Sequence, residues 1–129
     1  MLITALDGLW GRQTSLQEII VLIHDGEYGR AISSLECEAS NESRPPLERA
    51  EYCTWLAECH RRLEDYKMSG DWYLEAVKRI LSQQKELKLR AKEALPACEK
   101  ALECYRQGGD SVDVLLAAKL KQSLLELTK

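Results

Sequence analysis

The side chains able to do chemistry are two His, five Cys, and 21 Asp and Glu against 18 Lys and Arg. Acid–base or nucleophilic catalysis needs a His in reach of a carboxylate or of a hydroxyl or thiol. His24 and His60 each stand near the end of an apolar stretch, with no acid or nucleophile at a defined spacing. Both read as structural histidines with satisfied ring nitrogens. Cys53 and Cys59 are six apart, as are Cys98 and Cys104. That spacing matches no zinc or redox motif. With Cys37 they make an odd set, read as small buried hydrophobes in a reducing compartment. Gly108-Gly109 lacks a following Lys-Ser or Lys-Thr and reads as a turn, not a phosphate loop. No cofactor and no metal is expected, no enzyme is read from these residues, and binding is the class of function left.

Any binding surface must be built by the elements around these residues. The stretch Glu51 to Ile80 sets their pattern. Tyr52, Leu56, Cys59 and Leu63 fall at steps of four, three and four, one stripe of an α-helix, widened by Cys53 and Trp55. Tyr66, Tyr73, Val77, Ile80 and Leu81 form a second stripe, with Trp72 beside it. Between them the chain turns near Glu64–Asp65, and Asp65 is placed to cap the second helix. Ala57, Ser69 and Ala76 are the small residues that let two helix axes approach.

Leu56, Ala57 and Leu63, then Asp65 and Tyr66, then Ser69, Tyr73 and Ala76 resemble the tetratricopeptide repeat (TPR) at its first helix, turn and second helix. Three positions depart from that pattern. Cys53 stands at the bulky first position, His60 replaces an aromatic, and Leu81 stands where a Pro normally follows the second helix.

The rest of the chain reads as imperfect copies. Residues 1–11 have the pattern of a short leading helix, Thr4 to Trp10, with Leu2, Leu6 and Leu9 placed either in a frayed terminus or under the first repeat. Ser15 and Glu18 spell a capping box before an apolar helix to about His24. Asp25-Gly26 turns the chain into a helix with Tyr28, Ala31, Ile32 and Leu35. Ser40 to Pro46 is a polar loop whose prolines open the next helix. From Gln83 to Glu93 no turn signal appears, so the spacing predicts an extended second helix or one long helix leading into the third unit. Pro96 either begins a helix or kinks a continuous one. Gln107-Gly108-Gly109 is a stop, Asp110 or Ser111 a cap, and a Leu-rich final helix follows. The expected fold is therefore all-α. It is an α-solenoid of about three antiparallel hairpins (12–40, 46–84 and 86–128) in one domain, with a leading segment and a terminal capping helix.

Composition agrees with a protein of this kind. Apolar residues are 45% and charged residues 30% of 129, an ordinary soluble globular mixture. No apolar run approaches the roughly 20 residues that cross a bilayer. The opening segment lacks basic residues and meets Asp7 early, so it makes a poor signal peptide and an intracellular, cytoplasmic location is expected. The formal charge of −3 divides unevenly. Residues 1–60 carry four Arg and ten acids (−6), and residues 61–129 carry 14 basic and 11 acidic residues (+3). The basic run from Lys78 to Lys92 is interrupted by Glu86 and contains no stacking aromatic, which argues against nucleic acid as a partner.

The resemblance implies a concave groove lined by the first helices of successive hairpins. Carried over position by position, its lining would be Gln13, Leu16, Ile20 and Ile23, then Glu51, Thr54, Glu58 and Arg61, then Glu99, Glu103 and Arg106. One end is apolar and the middle acidic, which suits an amphipathic or basic segment of another protein. An acidic groove would also repel a terminal carboxylate. Leu16, Ile20 and Ile23 are equally well covered by residues 1–11 or by a second copy of the chain. Leu116, Leu120, Leu124 and Leu127 form a stripe on the last helix and a candidate face for a homodimer. The function expected is a non-catalytic protein–protein interaction scaffold, as a subunit or assembly factor of a larger complex. The alternative is a TPR-type chaperone holding an extended client segment.

Overall fold

The computed structural model describes residues 15–129. They form six α-helices: α1 (Leu16–His24), α2 (Tyr28–Ala39), α3 (Pro46–Arg62), α4 (Tyr66–Leu81), α5 (Leu87–Gly108) and α6 (Ser111–Leu127). No strand occurs among the described residues, so the fold is all-α over that span. The expected leading helix and the groove position Gln13 lie outside it. No described helix is long and apolar enough to cross a membrane.

Local signals set most helix ends. The Ser15 hydroxyl accepts from the Glu18 N–H at 3.2 Å, and the Glu18 carboxylate accepts from the Ser15 N–H at 3.0 Å. Asp65 accepts from the Met68 N–H and Asp110 from the Asp113 N–H, each at 3.3 Å. Side-chain caps of this kind contribute about 1 kcal/mol each. Gly26 and Gly109 take the left-handed conformation, φ 80° and 72°, that ends a helix cheaply. Glu64 takes it too, φ 63°, at a strain of roughly 1–2 kcal/mol for a residue with a side chain. The helix ends there at Arg62, so Leu63 becomes a cap residue and is exposed instead of completing the core stripe.

Two expectations about the third unit resolve. The chain turns at 82–86 although no local signal marks it. The Ser82 hydroxyl donates to the Arg79 carbonyl at 2.7 Å, and Arg90 reaches back to the Leu81 carbonyl at 2.6 Å. These last carbonyls of α4 are thus satisfied from the turn and from α5, a tertiary device that propensity does not register. Pro96 lies inside continuous α5. Its ring and Lys92, whose carbonyl loses its usual donor, are both exposed, so water can serve that carbonyl.

Packing runs chiefly between helices adjacent in the chain. One cluster of buried side chains, including Ile19, Leu35, Leu56, Val77, Cys98 and Leu124, draws on every helix. A second, around Ala57, Tyr73, Leu102, Tyr105 and Ala117, joins α3 to α6. The expected small contacts are present. Ala57, Ser69 and Ala76 are fully buried, and the Ser69 hydroxyl donates to the Ala57 carbonyl at 2.7 Å. The loop at 40–46 is clamped from both sides. Arg44 pairs with buried Glu38 at 2.7 Å and stands over the Tyr52 ring, while Arg49 donates to the Ala39 carbonyl at 2.9 Å.

Cys53, Cys59, Cys98 and Cys104 are buried, but Cys37 is exposed, against the expectation that all five are interior. Burial pushes the Cys53, Cys59 and Cys98 thiols up to about 11. The neutral form is held because a thiolate there would lose its water. At mildly alkaline pH a thiol reagent should therefore label one cysteine of the native protein quickly, with Cys37→Ser abolishing that fast phase. The other four should react only in denaturant, and fast labelling of two or more native thiols would contradict this packing. His60 is also not as expected. Both its ring nitrogens are buried without a hydrogen-bond partner, the Asp65 carboxylate standing 3.7 Å from Nδ1. His24 is exposed.

Candidate functional site

Helices α1, α3 and α5 line three depressions that share walls. The central one, about 310 Å³, is bounded by Thr54, Trp55, Glu58 and Arg62 of α3, Tyr73 of α4 and Lys100 of α5. Trp55 and Arg62 also border a smaller hollow of about 90 Å³, closed on the α1 side by Ile20, Ile23 and His24. Glu58, Tyr73 and Lys100 border a third, about 260 Å³, which runs on to Arg61, Glu103, Cys104 and Gln107. The shared residues join the three into one groove crossing α1, α3 and α5.

Helix periodicity explains this lining. From Thr54 the step to Glu58 is four, and from Glu58 the steps to Arg61 and Arg62 are three and four; Lys100, Glu103 and Gln107 follow at three and four along α5, so each set lies on one side of its helix. Tyr73 is buried and reaches the groove from α4 between them. Its phenol is pushed up to about 12, chiefly by burial. The Lys100 ammonium lies 5.9 Å from the centre of its ring, within cation–π range.

Glu58 is the most heavily engaged charge in the groove. Arg61 donates to it at 2.5 Å and Arg62 at 2.8 Å. Burial pushes the Glu58 carboxyl up, but the two guanidinium groups outweigh burial and hold it below its ordinary value. Lys100 forms no ion pair among the described residues.

Of the residues expected to line the groove, Ile20, Ile23, Thr54, Glu58, Arg61 and Glu103 do so. Leu16, Glu51, Glu99 and Arg106 border none of the three hollows. Leu16 packs on the core, Glu51 and Arg106 are exposed elsewhere, and Glu99 faces Lys121 of α6 at 3.5 Å. Sequence reasoning missed Trp55, Arg62, Tyr73, Lys100 and Gln107 as lining residues. The signal for Arg62 was its position four residues after Glu58. The middle of the groove is consequently not acidic. Arg61, Arg62 and Lys100 stand against Glu58 and Glu103, three charges to two.

The expected stripe on the final helix is not evenly exposed. Leu124 is buried and Leu120 packs on the core, whereas Leu116 and Leu127 are exposed. Val112, Leu115 and Leu125 are exposed as well.

A further depression of about 280 Å³ lies at α4 and the end of α2, bounded by Met68, Asp71, Trp72, Glu75 and Arg79 with Ala39 and Ser40. No group of three or more His, Cys, Asp or Glu side chains able to hold a metal ion occurs among the described residues. No protein-family model, curated protein or solved structure matches the chain.

Proposed function

We propose that the chain is a non-catalytic protein–protein interaction scaffold that takes a segment of a partner along the groove of α1, α3 and α5. In this reading α1–α2, α3–α4 and α5–α6 are three hairpins stacked as a TPR-like α-solenoid. The observation that supports it is that the three hollows share lining residues, as the parts of one extended trough would. Packing chiefly between neighbouring helices supports the same reading, because a stacked array keeps its interior in nearest-neighbour contacts. A trough of this length with an aromatic on its wall suits an extended or helical segment better than a small molecule.

Thr54 stands in the central hollow, so a large side chain there should block it. A tagged chain carrying Thr54→Trp, expressed in its source cells, should keep its helicity and lose its co-purifying partner at least about tenfold, roughly 1.4 kcal/mol of binding. Glu75→Gln, in the separate depression at α4 and the end of α2, should leave capture unchanged. Retention of every partner by a folded Thr54→Trp chain would end this reading.

A further inference from the structure

We propose that the partner segment is acidic and carries an apolar residue beside its carboxylates: the apolar side chain enters the hollow between α1 and α3, and a carboxylate sits at Lys100 in the central hollow. The proposal rests on the groove being the binding surface and adds the chemistry of its occupant.

Charge selects the occupant. Glu58 is already held by two guanidinium groups, so it offers little to an incoming cation. In the central hollow Arg62 is paired with Glu58, which leaves Lys100 as the lining charge without an ion-pair partner among the described residues. Glu103 borders only the far hollow, whereas Lys100 borders both. Lys100 is exposed and has no ion-pair partner among the described residues, so a carboxylate can meet it without breaking an existing pair. A lysine-rich segment would instead have to pass Arg62 and Lys100. The neighbouring hollow is lined by Ile20, Ile23 and Trp55 together with His24 and Arg62, and the three apolar walls take an apolar side chain.

The test is selection of phage-displayed random dodecapeptides on the full chain, followed by titration of synthetic copies. The sequences recovered should carry more Asp and Glu than Lys and Arg, with at least one large aliphatic or aromatic residue. Their affinity should fall at least about tenfold in Lys100→Glu and fall again with added salt, because the contact is a partly exposed charge pair. Lys100→Glu should retain native helicity, since Lys100 holds no salt bridge. Basic or uncharged peptides that Thr54→Trp blocks would overturn the acidic occupant and leave the groove standing. Acidic peptides that bind Lys100→Glu as well as the native chain would do the same. Peptides indifferent to both substitutions, or no recovered peptides, would overturn the occupant and the groove together.

Discussion

Gly70→Ala should destabilise the protein by about 2 kcal/mol or more, although alanine is the better helix former. Two effects compete. Replacing a glycine inside a helix favours the folded chain by about 1 kcal/mol. Against this, a Cβ at position 70 would lie 2.5, 2.7 and 2.8 Å from three ring atoms of Tyr105. Forcing an extra carbon into a filled core costs about 1–3 kcal/mol and sometimes more. The upper end applies here because the ring has nowhere to go. Tyr105 is 1% exposed, its hydroxyl donates to Asp71 at 2.5 Å, and the Lys67 ammonium stands over its face at 5.7 Å. Urea unfolding followed by circular dichroism should show the lower midpoint. Pairing the change with Tyr105→Leu, which clears the space, should make the alanine cost far smaller than it is alone. A raised midpoint for Gly70→Ala would mean that α4 and α5 are not this close, and the floor that Tyr73 gives the groove would go with that spacing.

This contact shows what a single sequence hides. A lone glycine within a helical pattern reads as a weakness in the helix, and only the ring of a residue 35 positions later gives it a purpose. Signals local to the chain were legible: the capping box at Ser15, the caps at Asp65 and Asp110, the turns at Gly26 and Gly109, and the small residues at 57, 69 and 76. The lining of the three hollows was legible as far as helical phase was kept. On α3 the expected Thr54, Glu58 and Arg61 lie in it. On α5 the face was placed one residue early, and one residue rotates a side chain by about 100° around the axis. That step put Glu99 where Lys100 stands, and on α3 Glu51 falls outside the hollows while Arg62 enters them, so both helices made the lining look more acidic than it is. The turn at 82–86 escaped for another reason, since Arg90 serves the end of α4 from the next helix.

The same question of phase decides the final helix, where leucines of one apparent stripe should behave oppositely. Leu124→Ala should cost about 2–5 kcal/mol, the range for emptying a filled core site. Leu116→Ala should cost no more than about 0.5 kcal/mol, as for an ordinary surface change. Leu124 is 1% exposed and belongs to the main core, whereas Leu116 is 55% exposed. Three contacts hold α6 in this rotation: Lys67 meets Asp113 at 2.8 Å, Lys121 meets Glu99 at 3.5 Å, and the Cys98 thiol points to the Ala117 carbonyl at 3.6 Å. Domains of this size are stable by only about 5–15 kcal/mol, so the Leu124 loss should shift the urea midpoint plainly. The difference also governs how an association at this end must be probed. A charge at Leu120 or Leu124 would disturb the core, so a change in solution mass there would report loss of fold. Leu116→Glu changes only the outer surface and would isolate self-association. Equal destabilisation by Leu116→Ala and Leu124→Ala would mean that α6 is rotated from this position and that Lys121 does not meet Glu99 as described.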